Sequence, residues 1–574
     1  MNACQVVPDI PSFAVDDGFS YLIPEGMDVA VGSRVRIRVS GRRMKGFVTA
    51  VFPAPSDKKL LAIDGVTGSI SSFDDRTLPV LRWAATHYVS PMSTILKRTI
   101  PSNVPRLALQ QVSPRETTDS EVAVIISDSR SYVAHIVSAV ASALEHDDSA
   151  LVVVPSVHEA ETTASQLRDT FGDMVVLATS ASENKDSTRS WGRAANRPPT
   201  LLVGTRETMM WPVARLAIVV VVEDGRRVMK SPSTPTLGVR EVMIARSREE
   251  GFDLSFIGPV PTLETIALRP AMEVPGGRQW PLVEVIDRSD EPPSRTVILE
   301  RTRAAISAAV HRRERVFVLV PSRGYAPAFR CISCGELRRC AVCDAAASRK
   351  KECRRCGADL GACAQCGKAR FEPLGAGIGS VRDAIARSVG GDVGVSGERK
   401  LVTVGSERDL VGCGEMSLSV AVDIDGMAHA PTYRASEDAF RLLVRVAQLV
   451  GRGRGNRMVV QTALADQPIL EALRSGRSGP FLDDLMAQRR ALMFPPYGEL
   501  IALEIDRAVA VGDAIIEAIG DDARVLGPAP MRDRDRWLIQ GADLTRARLA
   551  LRLVARTLRD KGARVRIDVD PIDL

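Results

Sequence analysis

Eight of the ten cysteines of this 574-residue chain lie between residues 331 and 366, as four Cys-x-x-Cys pairs: Cys331/Cys334, Cys340/Cys343, Cys353/Cys356 and Cys363/Cys366. No other segment is so restricted in what it can fold into. A Cys-x-x-Cys turn points two thiolates at one tetrahedral ion, so two such knuckles complete a Cys4 zinc site and four imply two zinc ions per chain. Gly335, Gly357 and Gly367 close three of the knuckles and tolerate the positive φ of a tight turn. Disulfides need an oxidising compartment, and the chain opens Met-Asn-Ala-Cys-Gln without a basic-then-apolar signal segment, so a cytoplasmic location is expected. Iron–sulfur ligation is the other alternative to zinc. With all eight thiolates engaged no ligand position is left for water, which predicts structural rather than catalytic metal. Spacing alone leaves nested, sequential and cross-braced pairings open.

A chain of this length has room for three or four domains, of which the cysteine segment is the small one that needs metal. Its longest apolar stretch, Leu216 to Val222, is far too short to span a bilayer, so no membrane association is expected. A net charge of +6 permits nucleic-acid binding without requiring it. Aromatic residues make up only 4% of the chain, which argues against a long base-stacking platform.

The N-terminal segment reads as β-structure. In Arg34-Val-Arg-Ile-Arg-Val39 the arginines alternate with apolar residues, so Val35, Ile37 and Val39 can be buried while Arg34, Arg36 and Arg38 project from the other face. Arg42, Arg43 and Lys45 follow around Gly41, and residues 46–51 supply the next strand. Such a row of fixed charge suits a phosphate backbone, and it equally describes a solvated strand face. A helix is predicted from Leu78 to Leu96, followed by a proline-marked linker over residues 101–118.

Beyond the linker, near-continuous apolar runs at 121–126, 151–155, 201–205 and 216–222 alternate with helical patterns at 131–144 and 157–171. That pattern predicts a parallel sheet covered on both faces. A second unit begins at Arg315-Val-Phe-Val-Leu-Val320, is interrupted by the cysteines, and resumes through Ala447; no internal repeat is visible. A phosphate loop, with its glycine-rich turn and Gly-Lys-[Ser/Thr], is missing. The one Gly-Lys pair is Gly367-Lys368 in the last knuckle, and the leading strand runs into Ser127-Asp-Ser-Arg130 instead. Gly65-Val-Thr-Gly-Ser69 lacks the lysine and reads as a turn.

Arg323-Gly-Tyr-Ala-Pro327, directly followed by the cysteine run, resembles the PriA replication-restart family of superfamily 2 DNA helicases. The resemblance continues in order through Phe19-Ser-Tyr-Leu-Ile-Pro-Glu-Gly26, Leu81-Arg-Trp-Ala-Ala-x-x-Tyr88, Gly204-Thr-Arg206, Pro261-Thr-Leu-Glu-Thr265, Tyr433-Arg-Ala-Ser-Glu-Asp-Ala-Phe440, Phe494-Pro-Pro-Tyr497, Leu526-Gly-Pro-Ala-Pro530 and Ile567-Asp-Val-Asp-Pro571. It implies an α/β multidomain chain. The expected order is an N-terminal β-rich domain binding DNA 3′ ends (1–105), a linker (106–119) with no room for the family's winged helix, and two RecA-like parallel-sheet helicase lobes. The lobes are expected at 120–275 and 276–470, with a two-zinc insertion at 329–370 in the second, followed by a C-terminal α+β domain (471–574).

The departures fall on the motor. The family's Asp-Glu-Glu-His metal box aligns with Val222-Glu223-Asp224-Gly225, so an aliphatic side chain replaces the first carboxylate. Its Gly-Ser-Ala-Thr-Pro motif reads Gly258-Pro-Val-Pro261 without hydroxyls, and its Gly-Thr-Gln motif survives only as Gly405-Ser-Glu407. Leu449 takes the place of the first arginine of the terminal motif, with Arg452 and Arg454 nearby, and residues 226–232 lack the aromatics that couple DNA contact to turnover. Phosphoryl transfer depends on such positioned charges. ATP and Mg²⁺ are therefore not expected as cofactors, no catalytic or nucleotide-binding residue is assigned, and both ATPase and unwinding activity are expected to be absent.

By the same resemblance, Phe19, Gly41 and Lys59 match or fall near the family's DNA-end pocket, and Ser20 stands where the pocket has an aspartate that accepts a hydrogen bond from a 3′-hydroxyl. Backbone contacts fall to Arg34, Arg36 and Arg38. The family pairs outer knuckles with outer and inner with inner, implying Cys331, Cys334, Cys363 and Cys366 at one zinc and Cys340, Cys343, Cys353 and Cys356 at the other. Arg338, Arg339, Arg349, Lys350, Lys351, Arg354 and Arg355 make that module basic. The expected partners are forked or branched DNA, primosome proteins and the replicative helicase or its loader, with the chain as a monomer. An active 3′-to-5′ helicase and a zinc-dependent RNA-binding factor are the alternatives.

Overall fold

The computed structural model describes residues 2–573 apart from 56–58, 102–111, 114, 116–118, 274–279, 291–296, 321–327, 348–350, 354, 375–376, 392, 396–397, 399, 423, 431 and 507–511. Five strands open the chain: β1 (Asn2–Pro8), β2 (Phe19–Leu22), β3 (Arg34–Val39), β4 (Arg42–Pro53) and β5 (Gly65–Thr67). They form an antiparallel sheet in the order β2-β1-β4-β3-β5. Ser40 and Gly41, at φ 48° and 79°, make the two-residue turn between β3 and β4, where paired positive φ values match the twist of the strands. The stretch before β5 also hydrogen-bonds β2, through Leu22 N–H to Leu61 O (2.8 Å) and Ile63 N–H to Leu22 O (3.1 Å). One segment thus joins both edges of the sheet, closing it round Cys4, Val6, Tyr21, Val35, Ile37, Val48 and Ile63. Gly65-Val-Thr67, expected as a turn, is the strand that completes this closure; three residues paired with Arg34–Arg36 are too few to show an alternation.

The helix expected over 78–96 is two helices, Thr77–His87 and Met92–Leu96. Pro91 starts the second, and a proline there can neither donate to the preceding turn nor leave Ser90 helical; Val89 turns the chain at φ 46°.

Two parallel sheets follow. The first has the order Met272–Glu273, Val122–Ile126, Asp253–Gly258, Leu216–Val222, Ser149–Val153, Leu201–Gly204, Val175–Ala178. Its central strands are almost wholly buried because helices such as Tyr132–Glu145, Val157–Phe171 and Val239–Glu250 cover its faces. The second has the order Leu282–Asp287, Arg457–Thr462, Leu418–Val422, Val316–Leu319, Val402–Gly405, Val393–Gly394. A two-stranded stem, Ala328–Cys331 against Phe371–Leu374, carries the cysteine module out of the second sheet. The C-terminal part is an antiparallel sheet ordered Arg524–Pro530, Arg534–Gly541, Glu499–Asp506, Val565–Val569, packed with helices Gly512–Ile519 and Thr545–Asp560. This is the expected fold class: a β-rich N-terminal domain, two RecA-like lobes, a cysteine-rich insertion and an α+β C-terminal part.

One hydrophobic core runs through three of these parts. It includes Phe47 and Leu81 near the N-terminus, Trp211 and Phe256 of the first lobe, and Ile539, Leu551 and Val569 near the C-terminus. Directed contacts pin the seam: Trp191 Nε1–H donates to Thr99 O (2.8 Å), the Gly238 N–H donates to the Tyr88 hydroxyl (3.1 Å), and His87 Nε2 lies 3.0 Å from Asp570 Oδ2.

Candidate functional site

On the β3–β4 hairpin the register sets Arg36 opposite Lys45 and Arg38 opposite Arg43. Opposed residues of an antiparallel pair share a face, so four exposed cations crowd one surface, an arrangement that repels itself unless an anion is present. Asp64 supplies part of that charge, 3.5 Å from Arg38 and 3.8 Å from Arg43. Arg34 departs from the expected row: its guanidinium lies 5.7 Å from the centre of the Phe47 ring, and burial lowers its pKa. The cause is that the outer face is covered at this end, where Phe47 belongs to the shared core. Phe19 is 41% exposed, a large side chain left in water on an otherwise covered strand. Beside it the Ser20 hydroxyl donates to Gln5 Oε1 (2.9 Å), which leaves the serine lone pairs to accept. The Tyr21 hydroxyl donates to Arg38 O (2.9 Å), bringing β2 alongside the end of β3 that carries Gly41. Gly41 is open to solvent, and Lys59 is exposed just before the segment that closes the barrel.

The structure brings the eight clustered cysteines into two groups of four, Cys331, Cys334, Cys363 and Cys366, and Cys340, Cys343, Cys353 and Cys356, with the sulfurs of each group within 4.8 Å of one another. The Cys331–Cys366 and Cys334–Cys363 sulfurs are 3.5 Å apart, as are Cys340 and Cys356, and Cys343–Cys353 is 3.6 Å. These separations are too long for a disulfide, about 2.05 Å. They suit the edge of a tetrahedron around an ion with bonds of about 2.3 Å to sulfur. All four knuckles are built alike. Gly335, Asp344, Gly357 and Gly367 donate backbone N–H bonds to the carbonyls of Cys331, Cys340, Cys353 and Cys363 at 2.8–3.0 Å, and all four have positive φ. Asp344 therefore does in the second knuckle what glycine does in the others, and the module is a fourfold local repeat that residue identities concealed. Backbone N–H groups of Ser333 and Cys334 draw the Cys331 thiol down to about 6, whereas burial and the facing cysteines push the Cys334 thiol of the same group up to about 12. Of the basic residues here, Arg338 lies over the Phe371 ring (4.2 Å), Arg339 pairs with Asp344 (3.0 Å) and Lys351 is exposed. Arg349, Lys350, Arg354 and the Arg323–Pro327 motif lie outside the described residues, as does most of the expected linker at 106–119.

The third candidate is the cleft between the two lobes. After the strand Val122–Ile126, where the family has its phosphate loop, Asp128 caps a short turn by accepting from the Arg130 N–H (2.9 Å). Arg130 then reaches across to the second lobe and donates to the carbonyls of Gln448 (3.0 Å) and Val450 (3.2 Å). Glu223 is buried and faces Arg445 of the second lobe at 3.2 Å, Arg226 at 3.6 Å, and the Tyr132 hydroxyl at 3.0 Å. Burial pushes its carboxyl up, but Arg445 and Arg226 more than offset this and hold it below its ordinary value. Arg226 also pairs with Glu159 (2.6 Å) and lies 3.7 Å from Glu407 of the second lobe. Asp224 accepts from the hydroxyls of Thr262 (2.8 Å) and Thr265 (2.7 Å) and lies 3.4 Å from Arg240. The motif that ends at Pro261 thus regains its hydroxyls just downstream. A second hub forms round Glu264, which meets Arg434, Arg489 (2.9 Å) and Arg240 (3.6 Å).

The arginines that matter in the cleft, Arg441 and Arg445, were not singled out from the sequence. They lie one turn apart on the helix Ala435–Ala447, and that spacing was the available signal. Arg452 and Arg454, near Leu449 in the place of the motif arginine, are exposed.

Residues 5–101 match the family described as 3'DNA-binding domain (3'BD) of PriA, and residues 490–572 match the Primosomal protein N C-terminal domain. A replication restart protein PriA from Treponema pallidum is 24% identical, with 99% of each chain covered. Those of Synechocystis sp. and Bacillus subtilis are each 22% identical over 74% of this chain, which spans 59% and 60% of their lengths. Among solved structures, the helicase MrfA bound to DNA and AMPPNP (11% identical, TM-score 0.34) covers 73% of this chain and 53% of its own. RecG bound to a three-way DNA junction (11%, TM-score 0.37) covers 73% and 50%. Among the described residues no helix is long and apolar enough to cross a membrane.

Proposed function

The chain belongs to the PriA replication restart family, and from that premise we propose that it reads the structure of abandoned or stalled forks and acts as a scaffold for reloading the replicative helicase, without hydrolysing ATP. The observation that carries this reading is the state of Glu223. In a motor of this kind the metal-box carboxylates hold Mg²⁺ and a lysine-bearing loop holds the phosphates. Here Glu223 is charge-paired with Arg445 and Arg226, Val222 stands where the first carboxylate would be, and Arg130 has turned away to the second lobe. ATPase activity with and without forked DNA tests it, and turnover above background that a fork stimulates would overturn it.

DNA contact falls to the cation face of Arg36, Arg38, Arg43 and Lys45, with Phe19, Ser20, Gly41 and Lys59 at the strand ends as the candidate end pocket. Ser20 can accept from a 3′-hydroxyl, but a neutral acceptor is weaker than an aspartate. Binding to forks with and without a 3′-OH leading-strand end separates end recognition from backbone binding; equal affinities leave only the latter. The cysteine module, holding two zinc ions through the two four-sulfur groups, is assigned to contact with primosome proteins and the helicase or its loader.

A second reading, an ATP-driven helicase, draws on one observation: Thr262 and Thr265 still couple to Asp224 across the first lobe. The same ATPase measurement decides between the two.

A further inference from the structure

Contacts that cross the cleft come from both rims and its floor. Arg130 donates to two carbonyls of the second lobe, and the Ser129 N–H lies 3.4 Å from Gln448 Oε1. Arg445 meets Glu223, and Arg226 approaches Glu407, which itself pairs with Arg445 at 2.9 Å. Arg441 donates to Gly225 O (3.3 Å) and is anchored behind by Glu437 and Asp438. The side chains of Glu223, Arg226, Arg441 and Arg445 are all less than 10% exposed. Desolvated ions of this kind are costly to separate, because parting them strands buried charge.

Gly225 shows that this packing is specific. A Cβ added there would sit 2.5 Å from Cζ and 2.6 Å from Nε of Arg441, so any side chain at this position would displace the guanidinium. The departure from the family's metal box at Gly225 and the presence of Arg441 are thus two halves of one fit. The same holds for Glu223, the box carboxylate that this chain keeps, whose charge is taken up by Arg445 rather than left for a cation.

We propose that the cleft is a permanent internal interface: Arg130, Arg441 and Arg445 lock the two lobes shut, in the place where the family's lobes open and close on nucleotide. The chain then carries its DNA-binding barrel and its cysteine module at a fixed separation, a ruler in place of a motor. A fixed cleft goes with the ATP-independent reading above, but the two fail separately. Lobes that open in a chain without ATPase activity sink the lock alone, whereas ATP turnover sinks the activity reading.

Hydrogen exchange on the full chain, zinc-loaded, tests the lock. Segments 126–131 and 445–451 are expected to be protected in the free protein and unchanged by millimolar Mg–ATP. Gly225→Ala and Gly225→His should speed their exchange by roughly tenfold or more, with the barrel and the cysteine module unaffected, since one or two hydrogen bonds lost across an interface are worth about that. Arg130→Ala, which removes only the half-exposed rim contact, should do the same to a smaller degree and decides the matter if the glycine variants fail to fold. Exchange of these segments at the rate of open loops in the wild type, slowing by Mg–ATP, or no response to any variant that folds would overturn the proposal.

Discussion

The Glu223 carboxylate of the first lobe and the Arg445 guanidinium of the second lie 3.2 Å apart, both buried, across a cleft that in a motor would open and close. The carboxylate that a cation would need has been claimed from within the chain. Nucleotide should therefore leave stability unchanged. A ligand present at 100 times its Kd adds about 2.7 kcal/mol. Millimolar Mg–ATP is expected to move the thermal melting point by less than about 1 °C, where real binding at that excess would give about 2 °C for a chain of this length.

Glu264, ringed by Arg434, Arg240 and Arg489, gives an acid signature. Burial raises its carboxyl, but the three guanidiniums hold it far below its ordinary value of 4.5. A depressed folded-state value means the stabilisation is complete above the unfolded value and is lost as pH falls through the folded one. Unfolding free energy should thus decline steadily as the pH drops below about 5, with Glu223 adding in the same sense. Glu264→Gln should cost about 3–5 kcal/mol at pH 7, because it strands buried arginines, and should flatten this dependence. Urea titrations from pH 7 to pH 3 check both; an unchanged slope in the variant would assign the acid loss elsewhere.

Arg36 and Arg38 should act on DNA through phosphates. Replacing both with alanine is expected to weaken binding to all sequences alike and to lower the slope of log K against log salt by about 1.4–1.8, at roughly 0.7–0.9 per lost contact. Arg34→Ala should instead lower stability, since its guanidinium rests on Phe47, and leave the salt slope unaltered. Anisotropy titrations at several salt concentrations separate the two effects.

The two four-sulfur groups share no ligand, so they should fail independently. Cys353→Ser is expected to drop bound zinc from two ions to one while leaving the outer group loaded. Among the described residues the inner group buries Ala347 and Leu360 beside its own cysteines, with Ala345 and Ala358 partly buried against them, too little apolar surface to stay folded without an ion. Chelation should abolish partner contact first and leave fork binding within about twofold, because the barrel has its own core. Metal analysis beside a binding titration reads both outcomes.

Local pattern is legible where a single burial rule, alternating, continuous or one-faced, holds along a whole element. The strands at 34–39 and 216–222 and the helix at 157–171 fall at the residues expected from alternation, a continuous apolar run and helical periodicity respectively. The helix over 78–96 failed because apolar periodicity continues through Pro91 while the backbone cannot. The site was legible only in part. Cysteine spacing announces chemistry within a short window. The pairing of Glu223 with Arg445 joins residues more than 200 positions apart, and an arginine on a helix, even with a second one turn away, looks like any solvated charge until its neighbour is known.

The shared core has a consequence for how this protein is made. Its members run from Val7 to Val569, and His87 waits for Asp570 to complete its contact. At about 5–20 residues per second, a ribosome needs on the order of half a minute to two minutes to deliver the partner strands. Until then the apolar face of the Thr77–His87 helix has only part of its cover. The N-terminal part can dock on the first lobe through the Trp191–Thr99 and Gly238–Tyr88 contacts but lacks its C-terminal cover, so mutations that weaken this early docking should surface as aggregation of nascent chains, with the finished protein unaltered.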